Sequence, residues 1–97
     1  MSAVPEKTEI VRSIVQRIRR LLVGFERARR QPNRREAYHI CMAIEHVFAG
    51  QLTAGEDALS KAERIEPLPP DIAVQAAFNE TPTVEQLSTA VNKLSPK

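Results

Sequence analysis

Glycine and aromatic residues are scarce in this sequence. Its 97 residues include three glycines, three phenylalanines, one tyrosine and no tryptophan. Alanine, isoleucine, leucine and valine therefore supply most of the apolar residues, and this composition is typical of packing between helices. No segment alternates apolar and polar residues over a useful length, so we predict no strands.

The sequence also lacks a second cysteine and any long uncharged run. Cys41 is the only cysteine, which excludes a disulfide within the chain and is typical of a reducing compartment. No stretch approaches the roughly 20 apolar residues of a transmembrane helix. The first residues lack the apolar core of a secretion signal. We therefore expect a cytoplasmic protein that does not bind membranes.

Helical spacing of apolar residues, three or four positions apart, covers most of the chain. A chain of this length has room for one domain, 1–97. We predict an all-α fold, a small helical bundle with an antiparallel helical hairpin core and two short C-terminal helices. The predicted elements are helix 1 over 5–30, helix 2 over 34–49, helix 3 over 53–66, a proline-rich connector over 67–70, and short helices over 71–79 and 83–94.

Residues that typically start or end helices support these boundaries. Pro32 ends the first helix, because proline disfavours helix in the residue before it and lacks a backbone N–H. Gly50 is suited to end the second helix. Thr53 with Glu56, and Thr83 with Gln86, have the spacing of capping boxes and predict two helix starts.

Charge is distributed unevenly along the chain. Residues 1–40 carry a net charge of +6 and residues 41–97 a net charge of −4. Nine of the ten arginines precede residue 36. A cluster around the first turn is a candidate polyanion-binding site, since guanidinium groups bind phosphates in a bidentate manner. The cluster consists of Arg27, Arg29, Arg30, Arg34 and Arg35. The alternative is a solvated face whose arginines pair with acidic residues of the same chain.

The apolar stripe of the first helix is the second candidate surface. It extends over more than four turns, and so short a chain has limited means to cover it. A homodimer would bury the remainder. We predict Ile14, Ile18, Leu21 and Phe25 at that contact.

Reactive side chains do not form a recognisable set. His39 and His46 lie seven residues apart, a rise of about 10 Å along a helix, which is too far for one metal ion without further ligands. Cys41 belongs to an apolar stripe and is expected to be an inert thiol. No phosphate-binding glycine loop, nucleophile motif or dinucleotide fingerprint occurs. We therefore expect no catalytic residues, no metal, no cofactor and no enzymatic activity.

The second and third predicted helices resemble a single tetratricopeptide-type hairpin. The resemblance depends on small residues at the close approach of the two helices, one large residue between them and a terminal proline. It departs from the motif at His39 and His46, where the motif prefers aromatic residues. The matching residues are Ala43, Gly50, Gly55, Leu59, Ala62 and Pro67.

Residues 36–62 also resemble part of the translin helical fold, in which a comparable hairpin follows a long basic helix. That family binds single-stranded nucleic acid, although its domain is about twice as long as this chain. Two functions follow as expectations. The first is a protein–protein interaction, regulatory or accessory module that associates with a protein partner, with itself, or with both. The alternative is binding of single-stranded RNA or DNA by the arginine-rich first helix and turn.

Overall fold

A computed structural model of the chain describes residues 4–76 and 80–94, and it confirms the predicted all-α bundle. Within these ranges there are five helices and no strand. The helices are α1 (Val4–Arg27), α2 (Arg34–Phe48), α3 (Leu52–Arg64), α4 (Pro70–Ala76) and α5 (Val84–Asn92). The predicted end of the fourth helix, 77–79, lies outside the described residues.

The core lies between α1, α2, α3 and α5. Side chains from all four helices are buried there, and Ile14, Ile18, Ile40 and Leu59 have no exposed surface. Burying a large aliphatic side chain contributes about 1.5–3 kcal/mol, so this cluster dominates the stability of the bundle.

The C-terminal segment folds back onto α1, a placement that the sequence left open. Val84, Leu87 and Val91 of α5 are buried in the common core. At the start of α5, the backbone N–H of Val84 donates to Oε1 of Gln31, 2.8 Å away in the turn after α1. At its end, Nη2 of Arg19 donates to Oδ1 of Asn92 at 2.8 Å. These contacts show that α5 runs antiparallel to α1.

The α2–α3 hairpin turns through Gly50. This residue has φ +80°, a left-handed conformation that glycine adopts without steric cost. The N–H groups of Gly50 and Gln51 donate to the carbonyls of Val47 and His46, which is the pattern of a Schellman motif. Gly50 therefore ends the helix as predicted, one residue after the C-cap Ala49.

Capping boxes occur at the starts of α2 and α5. Asn33 and Glu36 form one at α2, and Thr83 with Gln86 forms the predicted one at α5. The capping box predicted at Thr53 and Glu56 is wrong. Because the Schellman turn brings the chain directly into α3, the helix begins at Leu52, and its N-cap Gln51 makes no side-chain capping hydrogen bond.

α1 and α3 both end earlier than predicted, and each is followed by a left-handed residue that is not glycine. Arg29 has φ 54°, and the Arg30 N–H donates to the carbonyl of Phe25 to close the end of α1. Ile65 has φ 56° after α3, where the Glu66 N–H donates to the carbonyl of Lys61. A left-handed conformation costs an L-residue about 1–2 kcal/mol and is most unusual for a β-branched one.

Close packing of α2 against α3 depends on Gly55. A Cβ atom added at Gly55 would lie 2.8 Å from Cγ2 of Val47, which is closer than packed atoms come. Valine has little rotamer freedom in a helix, so the helices themselves would have to move apart. At Gly24 of α1, in contrast, an added Cβ would meet no atom within 4 Å.

These two glycines predict opposite responses to alanine. Gly55→Ala should lower the free energy of unfolding by up to about 2 kcal/mol, because overpacking costs about 1–3 kcal/mol and the helix-propensity gain of about 1 kcal/mol offsets only part of it. Gly24→Ala should raise it by up to about 1 kcal/mol, since only the propensity term acts. Urea denaturation followed by circular dichroism measures both. Equal effects of the two substitutions would contradict the packing difference.

Candidate functional site

The predicted dimer contact is not a surface in this fold. Ile14 and Ile18 are fully buried within the chain, and Phe25 is 5% exposed. Only Leu21 remains partly exposed. Within the chain, α5 and α3 cover this stripe, so it does not require a second copy for cover, and self-association stays a prediction.

The arginine-rich turn is held in place by Glu36. This carboxylate is 9% exposed and accepts hydrogen bonds from the Asn33 N–H at 2.8 Å and from Nη1 and Nη2 of Arg30 at 2.9 and 2.8 Å. The Arg30 guanidinium also lies 4.7 Å from the centroid of the Phe25 ring, within cation–π range. One acidic side chain thus joins the end of α1 to the start of α2.

The five clustered arginines consequently have different roles. Arg30 is engaged by Glu36. Arg35 is partly buried, and its Nε has no hydrogen-bond partner among the described residues. Arg27, Arg29 and Arg34 are exposed and form no ion pair with any described residue. These three side chains are the ones available to a ligand.

The predicted pairing with acidic residues also occurs along α1. Nη2 of Arg17 donates to Oε1 of Glu63 at 2.6 Å, and its Nε donates to Oε2 at 3.1 Å. The Arg17 hydrogen bonds lower the pKa of Glu63, and the charge of Arg20 lowers it further. Arg20 itself is exposed and lies outside ion-pairing distance of every acidic residue that the structure describes.

A groove between α1 and α3 adjoins the arginine-rich turn, and we call it the α1–α3 groove. Its apolar lining includes Leu21 and Phe25 of α1, Ala62 of α3 and Ile65, the residue after α3. Gly24 lies on its α1 side. The charged groups at its rim are Arg20, Arg30, Glu36 and Glu63.

Ile65 is the residue of this groove that the sequence did not single out. It is 52% exposed, among the largest exposures of an aliphatic side chain in the described chain, and its backbone is left-handed. The third helix predicted over 53–66 includes Ile65. Because α3 ends at Arg64, its side chain points away from the core instead.

The histidines are both satisfied by hydrogen bonds. His39 is buried, and its Nε2 donates to the carbonyl of Glu66 at 2.9 Å, which fixes the segment after α3 against α2. Nδ1 of His46 lies 2.9 Å from Oε1 of Gln51. The rings of Tyr38 and His39 meet edge to face at a centroid distance of 5.6 Å. These contacts agree with structural histidines.

Cys41 is partly buried, and burial raises the pKa of its thiol, as does the charge of Glu45. A raised pKa reduces the thiolate fraction and hence nucleophilicity. Over residues 4–76 and 80–94, no three histidine, cysteine or acidic side chains are grouped as a metal would require. In the same ranges, no helix combines the length and the apolar character needed to traverse a bilayer.

Comparison with known proteins gives no match to a family model, to a curated protein or to a solved structure. Function is therefore inferred from the surface of the chain itself. Its two distinctive features are adjacent: the exposed arginines of the turn and the α1–α3 groove.

The Glu36 interactions predict a pH-dependent contribution to stability. The Arg30 hydrogen bonds lower the pKa of Glu36 below its ordinary value, with help from the Asn33 N–H and despite burial. A carboxylate with a lowered pKa stabilises the fold above its unfolded pKa of about 4.3, and this contribution disappears as the pH falls through the lowered pKa. Glu36→Gln retains the capping geometry but removes the charge. It should reduce the free energy of unfolding at pH 7 and reduce it by a smaller amount at pH 3.

Urea denaturation of both proteins across this pH range measures the difference. Glu45→Gln, an exposed substitution in the same helix, is the matched control and should change stability little at either pH. A Glu36→Gln effect that does not depend on pH would show that the ion pair contributes nothing.

Proposed function

We propose that this chain is a helical protein–protein interaction module, an adaptor or accessory subunit without catalytic activity of its own. The observation that carries the proposal is the exposure of Arg27, Arg29 and Arg34 around a turn whose Arg30 and Glu36 line an apolar groove. Interface cores combine apolar anchors with arginine more than other surfaces do. The tetratricopeptide-like pattern of the α2–α3 hairpin supports the same class of function.

The partner in this proposal is a different protein. Self-association was expected from an uncovered stripe on α1, and that stripe is buried within the chain. The exposed arginines repel their counterparts on a second copy, which favours a partner with acidic groups.

The test is capture of partners by the tagged chain in cells that express it, after nuclease treatment. The triple variant Arg27→Glu, Arg29→Glu, Arg34→Glu should lose a protein that the wild type retains, because reversed charges repel an acidic surface. The matched control makes the same reversal at Lys7, Arg12 and Lys93, which are also exposed. This control should retain the partner.

Loss of the partner from both triple variants would mean that net charge alone governs binding. If both triple variants retain the partner, the arginine-rich turn is not part of the interface. Recovery of no specific protein by the wild type would contradict the proposed function.

Binding of single-stranded RNA or DNA is the second candidate, and the same free arginines favour it. Proteins that bind single-stranded nucleic acid normally have aromatic side chains among their basic residues, and bases stack on them. Here Phe25 is buried beneath Arg30. The exposed aromatic Phe48 lies at the opposite end of α2 from Arg34, about 20 Å away at 1.5 Å per residue. Among the described aromatic residues only Tyr38, which is partly exposed and lines a pocket with Arg34, lies beside these cations. One stacking platform is fewer than such proteins normally use, so we rank this function second.

Its test is the retardation of a single-stranded oligonucleotide at low salt. Affinity should fall with salt at about one log–log slope unit per phosphate contact. Replacing Arg27, Arg29 and Arg34 by glutamine should abolish binding without loss of helicity, whereas replacing Arg30 would disturb Glu36. Absence of retardation at low salt would eliminate this candidate.

A further inference from the structure

We infer that the α1–α3 groove binds one acidic amphipathic helix of the protein partner. This inference rests on the proposed function and specifies the chemistry of the partner. Three features carry it: a glycine that the fold does not need, a strained and exposed isoleucine, and an unbalanced positive charge at the rim.

Gly24 is the first feature. Glycine inside a helix costs about 1 kcal/mol relative to alanine. Gly55 offsets that cost through its close contact with α2, but Gly24 has only open space in front of its Cα. Because Gly24 has no side chain, the backbone of α1 is exposed at the wall of the groove. Small residues at such positions allow a second helix backbone to approach closely, as Gly55 does within this chain.

Ile65 is the second feature. Its backbone is left-handed, and its large aliphatic side chain is exposed to solvent at the groove that Gly24 of α1 also lines. Strained backbone conformations are concentrated at binding sites, where the strain positions a side chain. An apolar residue of the partner would remove the exposed part of Ile65 from water, together with the partly exposed Leu21.

The charge at the rim of the groove favours a partner of opposite charge. The two acidic rim residues, Glu36 and Glu63, are neutralised by Arg30 and Arg17. Arg20 is left without an ion pair to any described residue. Arg27 lies seven residues further along the same side of α1, with Gly24 between them, and is equally free. The groove is therefore apolar along its floor, and its α1 side carries the free charge of Arg20, with Arg27 next to its lining residue Ala28.

The dimensions of the groove suit a helix. Its α1 wall extends from Arg20 to Ala28, a rise of about 12 Å, or slightly more than two helical turns. Over that length an amphipathic helix presents apolar anchors three, four and seven residues apart. Acidic residues on its flank would then face Arg20 and Arg27. A nucleic acid would use the arginines but not the apolar floor, so a protein helix fits more of the surface.

The experiment selects ligands from a displayed library of helical peptides about 20 residues long. Selection on the full chain should enrich acidic peptides with apolar residues at helical spacing. Their affinity is then measured against two matched variants, Gly24→Gln and Val23→Gln. The first fills the groove wall, whereas Val23 is exposed on α1 and does not line the groove.

Gly24→Gln should weaken peptide binding at least tenfold while leaving the fold as stable as the wild type or more so. Val23→Gln should change binding less than about twofold. Because Gly24→Gln is expected to keep the helix intact, lost binding cannot be ascribed to unfolding, and circular dichroism verifies this. A second variant, Arg20→Gln, should weaken the acidic peptides and reduce the salt dependence of their binding.

Several results would overturn the inference. They are enrichment of basic or sequence-independent peptides, equal binding by Gly24→Gln and wild type, and binding of a single-stranded oligonucleotide instead of peptides. If a cellular partner depends on Arg27, Arg29 and Arg34 but not on Gly24, the groove is not its binding site and the proposed function stands. If neither a cellular partner nor a peptide binds, both proposals fail.

Discussion

The apolar stripe of α1 has to be shielded from water, and the chain provides that cover itself. Ile14 and Ile18 lie fully buried among residues of α3 and α5, and each such side chain contributes about 1.5–3 kcal/mol. The Arg17–Glu63 ion pair between α1 and α3 is partly exposed, and pairs of that kind contribute about 0–1 kcal/mol. The core therefore sets how α1 and α3 pack, and the ion pair adjusts their outer edge.

Because the chain itself covers the apolar stripe, the opposite face of α1 is the one exposed to solvent. With its apolar face enclosed, α1 presents its arginines to solvent, and acidic residues of the chain neutralise only some of them. Glu36 and Glu63 engage Arg30 and Arg17, while the arginines further around the turn stay free. Some of the arginines that make the first half of the sequence basic therefore pair with acidic residues of the same chain, and the others form an exposed positive surface.

Two helical glycines illustrate how the same residue type serves different purposes. Gly55 is required by the approach of α2 to α3, since even one methyl group would collide with Val47. Gly24 has no such neighbour within the described chain and lies at a groove instead. The sequence shows only that both glycines lie inside predicted helices. It does not show that a second helix packs against Gly55 and none against Gly24, and that is the difference between them.

Local signals in the sequence determined the secondary structure well. Apolar spacing, the proline after Gln31, the glycine at position 50 and the Thr83–Gln86 capping box depend on residues a few positions apart, so they are legible without a fold. The exceptions are Thr53, predicted to cap the third helix, and Ile65, predicted to lie within it. The turns that precede and end α3 place each one differently.

Only the tertiary structure decided which surfaces are free. The sequence states that α1 has an apolar face and an excess of arginine, but not whether α5 or a second molecule covers that face. Likewise, it does not show that Arg17 meets an acid 46 residues away while Arg20 meets none among the described residues. Such pairings depend on how distant helices pack, and packing is a property of the whole chain rather than of any window within it.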